Sequence, residues 1–382
     1  MDLGLTEIQQ MLKTSAQEFL SRECPLTLVR EMEEDPQGYT DELWRQMVAL
    51  GWTGVAFPEQ YGGTGGTFAD LGVLLEEIGR SLAPCPFFST VVLGGMTVLD
   101  SGSDAQKDDL LSRICAGTMT MTLAVNEASA TYEPWGIEAS SQKNGGNYEI
   151  TGTKLFVPDA HAAQVIIVAA RMSPTNSDDP DPAKGVTLFL VPSGTEGLQV
   201  SPMRSIGNER VFEVNLNQVS VPEDSVLGKV GEGWPIVERA IMRATAAQCI
   251  EMLGGAQAVL DMTVEYAKSR TQFGRAIGTF QAVQHHCARM ATDVEGSKNI
   301  AYQAVWRLSE GLPAKREVAM AKAWIGPAYR RVCGTAHQCH GAIGFTKEHD
   351  LQLYTRRAKV HELTYGDVNL HKEIALRHID DE

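Results

Sequence analysis

Arg270-Thr271-Gln272-Phe273-Gly274 stands between two long helical patterns, with Gln281 seven residues past Gly274 (YAKSRTQFGRAIGTFQ, residues 266–281). Gly274 and Gly278 interrupt the periodicity, so this stretch predicts a helix–turn–helix junction. An arginine at a helix C-terminus beside a glycine turn can aim its planar fork at a phosphate. Taken alone, RxxFG reads as a surface arginine at an ordinary helix end. A second stretch supports more than that. Gln338-Cys339-His340-Gly341-Ala342-Ile343-Gly344-Phe345 again joins two helical patterns through glycines.

Outward from this pair the chain falls into three parts. Residues 1 to about 117 read as helical. Thr6 with Gln9 forms a capping box, and Ile8, Leu12, Ala16, Phe19 and Leu20 share one face. Further helices are expected at 41–50, 67–79 and 90–99, with a proline break at 84–88. The glycine-rich loop Pro58-Glu59-Gln60-Tyr61-Gly62-Gly63 follows no strand, which excludes a Rossmann reading. Strand patterns occupy 119–125, 148–157, 164–170, 186–191 and 211–216, with a hairpin turn at Asn144-Gly145-Gly146-Asn147. The Pro- and Asp-rich stretch 173–184 reads as an exposed loop. Helical periodicity returns at 236–269, 280–308, 314–339 and from 348 to the end, four long helices with a kink expected at Pro327.

A net charge of −15, from 48 acidic and 33 basic residues, argues against nonspecific nucleic-acid binding. The 43% hydrophobic content suffices for one or two sizeable cores. Seven scattered cysteines without a CxxC fit a reducing, cytoplasmic setting. The acidic N-terminus has no export segment, and no apolar run reaches the length that would span a membrane. No motif has metal-ligand spacing.

The two glycine junctions, the PEQYGG loop and the run Val219-Ser220-Val221-Pro222-Glu223 with Leu227-Gly228 resemble the acyl-CoA dehydrogenase family along essentially the whole chain. The resemblance implies an α+β fold: an N-terminal helical domain over 1–117, a middle β-barrel or sandwich domain over 118–228 and a C-terminal four-helix bundle over 229–382. It also implies FAD as cofactor, an acyl-CoA thioester as substrate, and an electron-transfer flavoprotein or similar acceptor as partner. By the same resemblance Arg270, Phe273, Gly274, Gln281, Gln338 and Gly341 bind FAD, partly across a subunit interface. Phe156 matches the aromatic that packs on the flavin ring, and Asn126 opens the loop that covers it.

The departures from the family are informative. Its usual catalytic base is a Glu, and that position holds Tyr365 here. The alternative position on the first bundle helix falls on Ala244, beside Arg243. Substitutes in the same segment are Asp367 and Glu362, whose plain readings are a cap and a solvent-facing residue. Arg243 reads as a structural ion pair ahead of a CoA-phosphate contact. The covering loop has lost its GSD, Pro158 replaces a hydroxyl residue, and Ala342 replaces a glycine. The pattern resembles heteromeric members in which a homologous subunit carries the catalytic Glu. Such assemblies serve bulky esters such as steroid side-chain CoA esters. Two alternatives stand beside this reading: a homomeric flavoenzyme with altered, monooxygenase-like or desulfinase-like chemistry, and a non-catalytic binding or scaffold subunit.

Overall fold

The structure is a computed structural model that describes residues 4–172 and 181–380. Most of the expected 173–184 loop, residues 173–180, lies outside the described residues. The first part holds α1 (Glu7–Glu23), α2 (Leu26–Glu34), α3 (Asp41–Ala49), α4 (Phe68–Ser81), α5 (Met96–Ser101) and α6 (Asp104–Cys115). The middle part holds β1 (Met121–Ala124), β2 (Ser140–Asn144), β3 (Asn147–Pro158), β4 (Val165–Met172), β5 (Val186–Pro192), β6 (Leu198–Met203), β7 (Val211–Pro222) and β8 (Val226–Leu227). The last part holds α7 (Trp234–Ser269), β9 (Thr271–Gln272), β10 (Arg275–Ala276), α8 (Gln281–Ser309), α9 (Lys315–His340), α10 (Leu351–Leu363) and α11 (Val368–Arg377).

These elements sort into two compact units. One comprises the described parts of Met1–Glu33, Thr67–Ala83 and Thr245–Glu382. Its first helix begins at the capping box read from Thr6 and Gln9, with both reciprocal bonds made. Ala16, Phe19 and Leu20 are buried, whereas Ile8 is 76% exposed, so the buried stripe starts later than the periodicity suggests. α4 crosses α7 at glycines. A Cβ on Gly254 would lie 1.8 Å from the Glu76 carbonyl oxygen, and one on Gly79 would lie 2.2 Å from that of Glu251. Backbones approach this closely only where no side chain intervenes. Lys13 (α1) reaches Glu76 (α4) at 2.6 Å, and Arg356 (α10) reaches Glu33 (α2) at 2.7 Å. The expected single helix from 348 is in fact two. Tyr365 and Gly366 take φ of 60° and 103°, which ends α10, and Asp367 then caps α11 by accepting from the amides of Asn369 and Leu370.

The second unit comprises Glu34–Gly66 and the described parts of Pro84–Ala244. Its eight-stranded sheet runs in the order β6-β7-β3-β2-β4-β5-β8, with β1 paired in parallel to β4. Among the described residues no pairing joins β6 to β8, so the ladder is not closed. Pairing is antiparallel except for β1–β4 and β2–β4. Ile150, Val168, Phe189, Val191, Val214 and Leu216 pack in its core. β2, β6 and β8, absent from the periodicity reading, are short or polar. The segment expected as an ordinary helix over 90–99 is a π-helical stretch, Phe88–Gly95, followed by α5.

Candidate functional site

In the first unit α8 and α9 form a helical hairpin, which returns the chain so that Gln281 and Gln338 stand at the same end. His340, in the last turn of α9, stacks on Tyr266 of α7 with ring centroids 4.4 Å apart. Tyr266 lies one turn before Arg270, and its carbonyl accepts the Arg270 amide at 2.8 Å. Arg270, Gln281, Gln338 and Gly341 are thereby gathered at one end of the bundle, all exposed.

The junction after Arg270 is more than a loop. β9 and β10 pair as a hairpin whose tip is Phe273-Gly274, at φ 52° and 78°. Two positive φ values in succession suit a tight hairpin and favour glycine, yet the first position is a phenylalanine. Phe273 is 92% exposed, and its ring stands edge-on to that of Phe280 at 6.1 Å. Among the described residues, chain neighbours aside, nothing lies within 4 Å of where a Cβ on Gly274 or Gly341 would stand. The two glycine junctions therefore present open backbone beside cationic and amide side chains, which fits a dinucleotide pyrophosphate. Ala342, which replaces a glycine of the family motif, is exposed.

His337 and His340 support this end. Burial holds both imidazoles below their ordinary pKa, so they are neutral near pH 7. His337 stacks on Phe345 at 4.4 Å and its Nε2 meets Thr355 Oγ1 at 2.8 Å.

In the second unit, β3 and β7 lose register between Lys154 and Val157. This bulge turns out Phe156, at φ 54° and 54% exposed. The Leu155 amide donates to the Asn126 carbonyl at 2.8 Å, which joins the two sequence-predicted positions of this unit. Beneath them lies a buried ion pair. Lys154 Nζ, fully buried, sits 2.5 Å from Glu127 Oε1, and Glu127 accepts from the amides of Glu138 and Ala139. Burial pushes Lys154 down to about 8 against the pull of Glu127. Pro158 ends β3, and its carbonyl accepts from Thr122 Oγ1 at 2.7 Å.

The sequence-predicted substitutes for the base are otherwise engaged. Glu362 does not face solvent: it is buried and paired with Lys359 at 3.0 Å and Arg330 at 3.3 Å. Asp367 is the α11 cap. Ala244 is fully buried, and Arg243 is ion-paired with Asp100 in its own unit. Tyr365 occupies the turn between α10 and α11 in the left-handed region, as Phe156 and Phe273 do in theirs. Such a conformation costs a non-glycine residue of order 1–3 kcal/mol, and it clusters where structure serves a ligand. Sequence reading missed Lys322, a lysine on the inner face of α9, and His371 on α11. Their only signal was a polar residue on an apolar stripe.

Residues 6–118, 122–219 and 231–379 match the N-terminal, middle and C-terminal domain profiles of acyl-CoA dehydrogenases. A short-chain-specific acyl-CoA dehydrogenase of Megasphaera elsdenii is 30% identical over 376 residues, 96% of each chain. The ChsE4–ChsE5 complex from Mycobacterium tuberculosis holds a chain 27% identical, with a TM-score of 0.89 and full coverage of both chains. A variant of the Tcur3481–Tcur3483 steroid ACAD is also 27% identical, with a TM-score of 0.85 over 99% of this chain and 98% of that one. Among the described residues no helix is long and apolar enough to cross a membrane, and no group of three or more His, Cys, Asp or Glu could hold a metal ion.

Proposed function

The chain belongs to the acyl-CoA dehydrogenase family, and from that premise we propose that it is one subunit of a heteromeric enzyme that desaturates an acyl-CoA thioester between Cα and Cβ. Its cofactor is FAD, which when bound supplies the hydride acceptor. In this reading Arg270, Gln281, Gln338 and the open backbone at Gly274 and Gly341 hold the adenine–pyrophosphate side. Phe273 projects toward a neighbouring subunit. Phe156 packs on the ring and Asn126 supports it through Leu155. The domains divide at about 117 and 228, in keeping with the profile limits. The seven free thiols suit a reducing cytoplasm.

The carrying observation is that the segment around Tyr365 holds no uncommitted carboxylate. Abstracting a Cα proton needs a group poised to accept it. Glu362 is locked between two cations and Asp367 is spent on a helix cap. A tyrosine, with an ordinary pKa near 10, does not take that proton at neutral pH unless strongly perturbed. A homologous chain carrying the Glu would complete the reaction, and electrons would leave to an electron-transfer flavoprotein or similar acceptor. The likeness to the ChsE4–ChsE5 complex favours a two-chain assembly, and that to the steroid ACAD favours a bulky thioester such as a steroid side-chain CoA ester as substrate.

The test is the visible spectrum of the chain, alone and with Glu-bearing homologues, titrated anaerobically with acyl-CoA esters. The expected result is bleaching near 450 nm, the flavin band, only in the mixed complex, with a 2-enoyl product. A homomeric chain that bleaches unaided sinks the subunit reading. Oxygen uptake without an enoyl product would assign altered chemistry instead.

A further inference from the structure

The left-handed region disfavours any residue with a Cβ, and a bulky side chain stays there only when its surroundings impose it. Tyr365 is held there from both sides. On α9, Lys322 is 1% exposed. Its Nζ donates to the Thr364 carbonyl at 2.7 Å, to the His361 carbonyl, and to Gln248 Oε1 of α7 at 2.8 Å. On α11, His371 is 5% exposed, and its Nε2 donates to the Tyr365 carbonyl at 2.8 Å. The peptide carbonyls immediately before and immediately after the Tyr365 Cα are therefore both bound by buried side chains from other helices.

The arrangement is complete in itself. Three acceptors take up the three protons of an ammonium, so Lys322 has no donor left for a ligand. All three acceptors are uncharged, so the cost of burying the ammonium is met by hydrogen bonds to a turn and one amide. Gly366 adds a steric stop, since a Cβ there would lie 2.6 Å from Leu370 Cδ2 and 3.0 Å from His371 Nε2. A buried cation that spends two of its three bonds on one turn and the third on α7 is a device for fixing that turn.

We infer that Lys322 and His371 are positioning residues that hold Tyr365 in its left-handed turn and so set the side of the site that receives the acyl thioester. The second half of this statement rests on the reading of Tyr365 as occupant of the family's base position. The first half stands on the hydrogen bonds alone.

The test uses the full chain with FAD, in the complex where one forms. Amide exchange is followed over residues 364–366, and binding of a non-oxidisable acyl-CoA thioether is followed by the flavin spectrum. Lys322→Met is expected to speed exchange at these amides about tenfold, with the amides of α8 unchanged, and to weaken the thioether by about tenfold at unchanged flavin content. In a Tyr365→Ala background the same substitution is expected to weaken the thioether no further. Unchanged exchange at 364–366 overturns the inference, and so does full additivity with Tyr365→Ala. If Lys322→Met does not fold, His371→Gln carries the same two readouts with smaller changes. If no form of the wild-type protein binds the thioether, the acyl-CoA reading fails, and the exchange comparison still decides whether Lys322 and His371 hold the turn.

Discussion

Lys154 has no contact with solvent, and Glu127 beneath it accepts that ammonium at 2.5 Å together with two backbone amides. Removing one partner of such a pair strands the other charge in a medium that solvates it poorly. Lys154→Met is expected to cost about 3–5 kcal/mol in chemical denaturation. Lys154→Met with Glu127→Gln should recover a substantial part of that loss, because no charge is then left behind. Gly254→Ala is expected to be at least as damaging, with no such rescue, since its Cβ would meet the backbone of α4. At this scale the sequence was legible where a residue belongs to a motif. The motifs single out Phe156, Phe273 and Gly341 for the cofactor, and each has an unusual backbone or open surroundings. They pass over Lys322, because a lysine within a helical pattern reads as a solvated side chain whose stem merely covers apolar surface. Only the fold reveals that three acceptors converge on it.

Helices with strong periodicity were found almost to the residue, as at α7, α8 and α9. The polar strands β2 and β6 were not, because pairing with a neighbour, not apolar alternation, makes them strands. The division of α10 from α11 was also missed: its decisive partners lie on α9 and on α11 itself, beyond any local window. That division has a pH signature. Burial pushes His371 down to about 4, from an ordinary value near 6.5. Below pH 6.5 the unfolded chain binds a proton there that the folded chain refuses until about pH 4. Stability is therefore full above pH 6.5 and is lost as pH falls toward 4, by up to about 3 kcal/mol from this residue. His361, buried and likewise held well below its ordinary value by desolvation, adds in the same direction. Urea denaturation at pH 7 and pH 5 measures the difference, and His371→Gln should shrink it. An equal acid loss in that variant would assign the effect to other groups.

The order of helices, sheet and helices was readable for the whole molecule, because each class has its own periodicity. What stayed hidden is that α1 and α4 belong to the same compact unit as the C-terminal bundle. Nothing local in a sequence marks contacts across hundreds of residues. The large exposed apolar side chains Phe273, Ile343 and Phe345 all lie in the two glycine junctions. Phe273→Ser is expected to change the stability of the isolated chain by less than about 0.5 kcal/mol. The same change should lower both flavin content and assembly mass in sedimentation. If both stay unchanged, Phe273 touches neither cofactor nor neighbour. The interleaving of the first unit also bears on how the protein comes to exist. Glu33 meets Arg356, 323 positions later. At ribosomal speed the nascent α1 and α2 wait roughly 15–65 s for that partner, while the whole sheet is made and can fold between them. During this interval α1 has α4 to meet, but the C-terminal helices that complete their compact unit do not yet exist. The N-terminal helices are thus natural clients for a chaperone at the exit tunnel, and slowing translation should lengthen their exposure without helping them fold.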